Sequence, residues 1–451
     1  MPFLTIDGHD SEDFDDAIYV YNQRNKEYLI FICISDVSYY IKTNSYLDKK
    51  AYEICNSIYL PQLVFPMFPE FLSNDICSLS PNERKLGILC QIKIKEKGSI
   101  IGYEYHKVII ESKMDFNYSE IKHIITETYY KNLAYKNLRK LLKNINDIKN
   151  IIKVIRKAGS NINFNSDEIQ IHFNKFGSID NISRKEQFVS HSIIEEFMIL
   201  ANLLVSKFLE KKNFLFIKRR HDPPYKKKSV VFNKIMCLSN DIFRIKIFRY
   251  WSLRFYLKLA SHAKKTLSFF ILQKVILKML EKASYDTLKN GHFGLNLQLY
   301  THFTSPIRRY SDLIIHRIIK CFLENLKNNY NVILLSQLSR RFSLYEIKTS
   351  RIHKKIKFFI VGKYLLKNLN KVHEAVIIDI KKFGVIIKIK NLEIYGLINN
   401  IYKKYFTEKN IFCKLRKKKI IRVKVLYINE VKEIINFFIV KNKSLKMKSE
   451  K

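Results

Sequence analysis

The segment SHSIIEEFMILANLLVSKFLEKK, residues 190–212, is apolar on nearly every face when wound as a helix. Such a helix cannot lie on a surface and must be covered by other layers on all sides. The rest of the chain offers covering elements of both kinds. Residues 17–40, within AIYVYNQRNKEYLIFICISDVSYYI, alternate as a hairpin turning at Asn22–Asn25. A second β-rich stretch, roughly 86–112, contains KLGILCQIKI and HKVIIES. From about 119 to 157 Ile and Leu recur every three or four residues among lysines, and 250–290 and 311–329 also read as helical. Near residue 370 the texture changes. HEAVIIDIKKFGVIIKIKNLEIYGLI, with Gly384 and Gly396 at bends, is followed by IIRVKVLYI and INFFIV, five short strands that suggest a small β-barrel of the OB type. The fold class predicted is α+β: a mixed sheet-and-helix domain over 1–365, a barrel over 370–441 and a basic tail over 442–451.

Lys plus Arg outnumber Asp plus Glu by 81 to 41, giving a net charge of +40. A field of that sign favours a polyanionic partner, nucleic acid or an anionic membrane surface. Abundant Lys, Ile, Asn, Tyr and Phe beside scarce Gly, Pro, Ala and Trp are also what a low-GC genome produces, which accounts for much of the size of the excess. The seven cysteines include no CxxC pair and read as reduced, mostly buried thiols. No signal peptide precedes the first strand, and apolar runs such as SFFILQKVIL are broken well before the ~20 residues a bilayer requires. The expectation is a soluble, cytoplasmic protein that does not enter a membrane.

Against this basic background stands TIDGHDSEDFDD, Thr5 to Asp16, a loop between the short strand FLTI and the hairpin. Asp7, Asp13, Asp15 and Asp16 follow the spacing D-x5-D-x-D-D. Carboxylates this close repel one another unless a cation neutralises them, and hard divalent ions such as Mg²⁺ do so best. No register supplies the Gly and Glu of an EF-hand. The bland reading is a solvated acidic turn. A two-ion Mg²⁺ site would imply phosphoryl chemistry, in which one ion activates water and the other steadies the leaving oxygen. The second landmark is GHFGLNLQLYTHFTSPIRRYSDLIIHR, Gly291–Arg317, a loop carrying Thr304, Ser305, Arg308 and Arg309 before a helix from about Ser311. Hydroxyls and guanidiniums at a helix N-terminus make a phosphate cradle, although a lone RR before a helix is more often a solvated face.

Taken whole, this stretch resembles the HFGL…Y-x-HFTSPIRRY-x-DL…HR motif of the ribonuclease R / ribonuclease II family. The acidic loop resembles that family's metal loop at all four spaced aspartates, and SDVSYYI, NSIYLPQLVFPMFPEFLSNDICSL and IIEEFMILAN resemble further family segments in the same order. The likeness covers roughly 3–330, and the barrel near 370–440 is similar to the family's C-terminal RNA-binding domain.

The resemblance implies a processive, Mg²⁺-dependent exoribonuclease that degrades single-stranded RNA from its 3′ end to nucleoside 5′-monophosphates, acting as a monomer. The alternative is a non-catalytic RNA-binding protein on a decayed nuclease scaffold. By position, Asp7, Asp13, Asp15 and Asp16 form the metal site, with Asp15 most critical for cleavage. Tyr59 stacks on the 3′-terminal base, Arg308 holds the scissile phosphate, and Ser305, Arg309 and Tyr310 line the same RNA channel. Glu195 or Glu196 either faces the channel or pairs with an Arg, and His221 and His302 read as loop and core histidines rather than metal ligands. Relatives carry two cold-shock-type domains ahead of the metal loop, and the expectation is that these are missing here. The segment 213–250 matches weakly, and YEIKTSRIHKKIKFF is more basic than its counterparts.

Overall fold

The computed structural model describes residues 1–451 except 10, 24–25, 127–132, 157–168, 185–187, 226–276, 278, 289–290, 382, 391, 393, 400–419 and 441–451. The expected helical stretch at 250–276, most of segment 213–250, the middle of the hairpin turn, Cys237, Cys413 and the basic tail therefore lie outside the described residues. The chain divides into two compact units. One comprises Met1–Ile58, Val64–Asn163 and Gln187–Lys348; the other comprises Tyr59–Leu63, Phe164–Glu186 and Thr349–Lys451.

The first unit is built on a closed five-stranded barrel. Strands β1 (Phe3–Asp7), β2 (Asp16–Asn22) and β3 (Glu27–Ser35) run in sequence, followed by Arg84–Lys95 and the long strand Ile100–Asn117. Neighbours pair antiparallel until the last strand returns to β1 in parallel, with Asp7 opposite Asn117. Closure removes the free edges that strands this apolar would otherwise expose. It also gathers the end of β1, the start of β2 and the end of the long strand at one rim, with the acidic loop between them. The hairpin is shorter than its alternation suggests. The Asp36 side chain accepts the Tyr39 N–H at 3.1 Å, capping a turn of helix Val37–Tyr40 and ending β3 at Ser35.

The all-round apolar segment forms the helix Val189–Lys211. Ile193, Phe197, Leu200 and Leu204 share one buried core with barrel residues Ile30, Ile32 and Ile92, with Leu142 and Ile145 of the helix Leu133–Ile155, and with Leu313 and Ile314 of the helix Tyr310–Leu323. Each such side chain, fully removed from water, contributes roughly 1.5–3 kcal/mol. The buried helix is thus enclosed by both strands and helices, which is what its sequence requires. Among the described residues no helix is long and apolar enough to cross a membrane.

In the second unit the strands His373–Lys381, Gly384–Ile389, Tyr395–Asn399, Ile420–Asn429 and Ile434–Ile439 form another closed barrel, consistent with an OB-type domain. Gly396 lies inside a strand rather than at a bend. A Cβ there would stand 2.1 Å from the Phe437 ring, so only glycine lets that ring fill the core. Ile171, Ile179 and Ile182 of the hairpin Ile169–Phe173/Ile179–Arg184 pack into this core with Val361 and Leu365, from the end of the helix Val332–Lys367.

Candidate active site

The acidic loop is shaped by short, specific bonds. Asp7 Oδ1 accepts the Gly8 N–H at 2.8 Å and the Ser11 hydroxyl at 3.1 Å. Ser78, fully buried, clamps the loop from beneath. Its hydroxyl donates to the Glu12 carbonyl at 2.8 Å and accepts the Phe14 N–H at 3.0 Å. Leu79 N–H then donates to the Phe14 carbonyl and Ser35 N–H to the Asp15 carbonyl. The backbone between Glu12 and Asp16 is therefore fixed before any ligand arrives.

The arginine loop, Thr301–Arg309, is held from three sides. Asn202, a buried polar residue on the apolar helix, accepts the Phe303 N–H at 2.7 Å and donates to the Tyr300 hydroxyl at 3.1 Å. Asp312, fully buried in the first turn of the following helix, accepts the Ser305 N–H at 2.9 Å and Arg309 Nη2–H at 2.8 Å. Tyr310 is 4% exposed and donates its hydroxyl to Asp48 at 2.8 Å, while Arg317 donates to the same carboxylate oxygen at 2.6 Å. From that position Tyr310 braces the loop. The Arg309 Nε–H is buried and meets no hydrogen-bond partner among the described residues.

The two loops, almost 300 residues apart in sequence, meet at Asp15. Its carboxylate, 3% exposed, accepts the Ile307 N–H through Oδ1 at 3.0 Å and Arg308 Nε–H through Oδ2 at 3.2 Å. Arg308 also donates to the Ser305 hydroxyl at 3.0 Å, while roughly half of its side chain remains in solvent. Burial pushes the Asp15 carboxyl up to about 7, opposed chiefly by Arg308. Asp16 is held well above the usual carboxylate range by burial and by the charges of Asp7 and Asp15, and Asp7 is raised by burial. Asp13 lies close enough to raise both Asp7 and Asp15.

These carboxylates fit a divalent cation by their chemistry. They are hard oxygen donors brought together at one rim, and for Asp7 and Asp16, which burial and neighbouring carboxylates hold toward the neutral form, a bound cation would relieve the cost of ionisation. Among the described residues, no three His, Cys, Asp or Glu side chains are already gathered tightly enough to hold a metal ion. Asp7, Asp13 and Asp16 are the carboxylates available to such an ion, while Asp15 already engages the arginine loop.

Other residues fall into place around this centre. Glu196 pairs with Arg156 at 2.5 Å in a buried ion pair, the structural role expected for one of the two glutamates. His221 uses both ring nitrogens on backbone, at Glu281 O and Gly294 N, and His302 Nδ1 meets the Tyr285 hydroxyl at 2.9 Å. Tyr59 ends the strand Ile58–Tyr59, is 39% exposed and belongs to the second unit. Tyr118 was not anticipated. The Asp7–Asn117 pairing sets it next to the acidic loop, where burial and the charges of Asp7 and Asp16 raise its hydroxyl, and its ring stacks on His191 at 3.8 Å. Only the barrel closure reveals it, because nothing in the sequence pairs residue 117 with residue 7.

A family model, the RNB domain, matches residues 1–325, which contain both loops. The chain belongs to the RNB domain family. It is 32% identical over 407 residues to ribonuclease R of Buchnera aphidicola subsp. Schizaphis graminum, covering 88% of this chain and 56% of that protein. Escherichia coli ribonuclease R is 31% identical over 410 residues, covering 88% of this chain and 50% of the relative. The chain thus spans about half the length of the curated relatives it matches. Among solved structures, RNase R of Mycoplasma genitalium in complex with ribose methylated single-stranded RNA superposes with a TM-score of 0.86 at 25% identity, covering 98% of this chain and 71% of that one. Residues of both loops fall within the matched range and within one compact unit.

Proposed function

We propose that this RNB chain is a 3′-to-5′ exoribonuclease that hydrolyses single-stranded RNA to nucleoside 5′-monophosphates with Mg²⁺, acting processively as a cytoplasmic monomer. The observation that carries the reading is the Asp15 junction. One buried carboxylate fastens the arginine loop to the acidic loop, so a group suited to grip phosphate is fixed beside groups suited to hold cations.

In this reading Asp7, Asp13 and Asp16 hold up to two Mg²⁺ ions, with Asp15 beside them. When bound, such ions lower the pKa of water and neutralise charge on a phosphodiester. The chain's own residues do the rest. Arg308, oriented by Asp15 and Ser305, grips the scissile phosphate and offsets the charge that grows on it. Arg309, anchored by Asp312, steadies the adjoining backbone. Asn202 and Asp312 keep the loop from adapting to a misplaced strand. Tyr59 stacks on the terminal base, a contact that every base can make. The basic field draws in RNA that the carboxylates alone would repel. Purified protein should release mononucleotides from labelled oligo(A) with Mg²⁺ and none with EDTA. RNA binding without release under any divalent ion would favour the decayed-scaffold alternative.

A further inference from the structure

The hairpin Ile169–Phe173/Ile179–Arg184 ends in a turn, Asn174–Ser178, that is built with care yet holds out an aromatic ring to solvent. Asn174 N–H donates to the Ser178 carbonyl at 2.8 Å, and Gly177 N–H donates to the Asn174 carbonyl at 2.9 Å. The Asn174 side chain accepts both the Phe176 N–H at 3.0 Å and the Ser178 N–H at 2.9 Å. Gly177 takes the positive φ, +71°, that the turn needs. Every one of these bonds uses backbone atoms, the Asn174 amide or the freedom of glycine. None uses the side chain of Phe176, which is 92% exposed, with exposed Lys175 beside it. The fold would be served equally well by a polar residue at this position.

The tip is also tied to the short segment Tyr59–Leu63 in the same unit. Gln62 Nε2–H donates to the Gly177 carbonyl at 3.2 Å, and Leu60 N–H donates to the Leu63 carbonyl at 2.8 Å, closing the short segment that begins with Tyr59. Below, Ile171, Ile179 and Ile182 anchor the hairpin in the core of the C-terminal barrel. The ring is therefore displayed from a supported base.

We infer that the hairpin tip is a second base-stacking contact for single-stranded RNA, with Phe176 supplying the face and Lys175 the adjacent phosphate. Two observations favour a nucleic acid over a protein partner. The turn itself presents one planar ring, flanked in the same unit by the partly exposed Tyr59 and Leu63 rather than by a continuous apolar face, and its immediate neighbour is a cation in a strongly basic chain. The inference rests on the proposed exoribonuclease reading and extends it from the terminal nucleotide to one further along the strand.

The test uses the full chain carrying Asp15→Asn to suppress cutting. Oligo(A) of increasing length, each with one 2-aminopurine at a different distance from the 3′ end, is titrated with this protein and with its Phe176→Ala, Phe176→Tyr and Lys175→Ala derivatives. Loss of a stacked base should weaken binding of the longer oligonucleotides by about 5- to 150-fold. One internal 2-aminopurine position should lose its quenching, and Phe176→Tyr should retain both. Lys175→Ala should reduce the salt dependence by up to about one phosphate contact. Equal affinity and quenching for Phe176→Ala and its parent would overturn the inference. So would unchanged RNA binding accompanied by lost self-association, which would make the tip a protein contact. Cleavage by the otherwise wild-type chain is measured alongside. Its absence would refute the exoribonuclease reading, whereas normal cleavage with no Phe176 effect would refute only this inference.

Discussion

Replacing Asp15 by Asn preserves shape and removes one charge at the point where the two loops meet. The Asn Oδ1 atom could still accept the Ile307 N–H, but its Nδ2 group would face the Arg308 Nε–H, donor against donor. The charge-assisted bond that is lost contributes roughly 1.5–3 kcal/mol in general. Arg308 is about half in solvent, so the effect on folding should fall toward the lower end. The effect on catalysis is larger, because a released guanidinium no longer points where phosphate charge develops. Removal of one group that acts on the transition state typically costs about 10²–10³ in rate. Mononucleotide release from labelled oligo(A) should fall at least ~10²-fold, while RNA affinity measured by fluorescence anisotropy persists or tightens as repulsion drops. Cutting at a near wild-type rate would refute the role given to the junction.

Tyr59→Ala should lengthen the limit product, because short oligonucleotides depend most on a stacking contact of roughly 1–3 kcal/mol; an unchanged ladder would make Tyr59 a structural residue. In the C-terminal barrel, Val361 and Leu365 pack into its core, so truncation near Leu369 would expose them; Phe383, 59% exposed between the strands His373–Lys381 and Gly384–Ile389, is the cleaner probe, as Phe383→Ala in the intact barrel. It should weaken binding of long RNA by a similar amount and leave turnover of a short oligonucleotide unchanged, and equal effects on both substrates would count against the barrel as an RNA-holding module. Ser78→Ala removes both bonds that clamp the acidic loop, about 1–3 kcal/mol together, and should raise the Mg²⁺ concentration for half-maximal activity and weaken Mg²⁺ binding by calorimetry; an unchanged Mg²⁺ titration would deny the clamp any part in shaping the site. Burial lowers the pKa of His316 to about 4, from an ordinary 6.5, so the folded chain binds its proton less readily than the unfolded one. The contribution of His316 to stability should therefore fall by on the order of 3 kcal/mol as pH drops from 6.5 toward 4, and urea titrations of His316→Gln should differ from wild type by that slope; equal slopes would refute this.

Much of this was legible before any coordinates. The period of residues 190–212 demanded a buried helix, and the alternation near 370–440 announced the second barrel. Both are local signals, carried by side chains a few residues apart. The first barrel was not legible as a barrel, because its closure depends on pairing Asp7 with Asn117, more than a hundred residues away. The same limit hid the supports of the site. Ser78, Asn202 and Asp312 look like ordinary polar residues in sequence, and their importance lies in which backbone atoms the fold brings to them. Asp48 pairing with Tyr310 is another case, joined across more than 260 positions. Asp36 misled in the opposite direction, since a strand-like run continued past it while its side chain capped a helix.

The central claim is that the joined loops remove nucleotides one at a time from a 3′ end. A single-stranded RNA labelled at its last internucleotide phosphate, and the same RNA labelled at its 5′ terminus, tests it directly when products are resolved over the first turnovers with Mg²⁺. The account predicts that the 3′ label appears at once as a nucleoside 5′-monophosphate, while the 5′ label stays in long RNA and passes into a short end product. Early release of the 5′ label, or internal fragments before any mononucleotide, would contradict it.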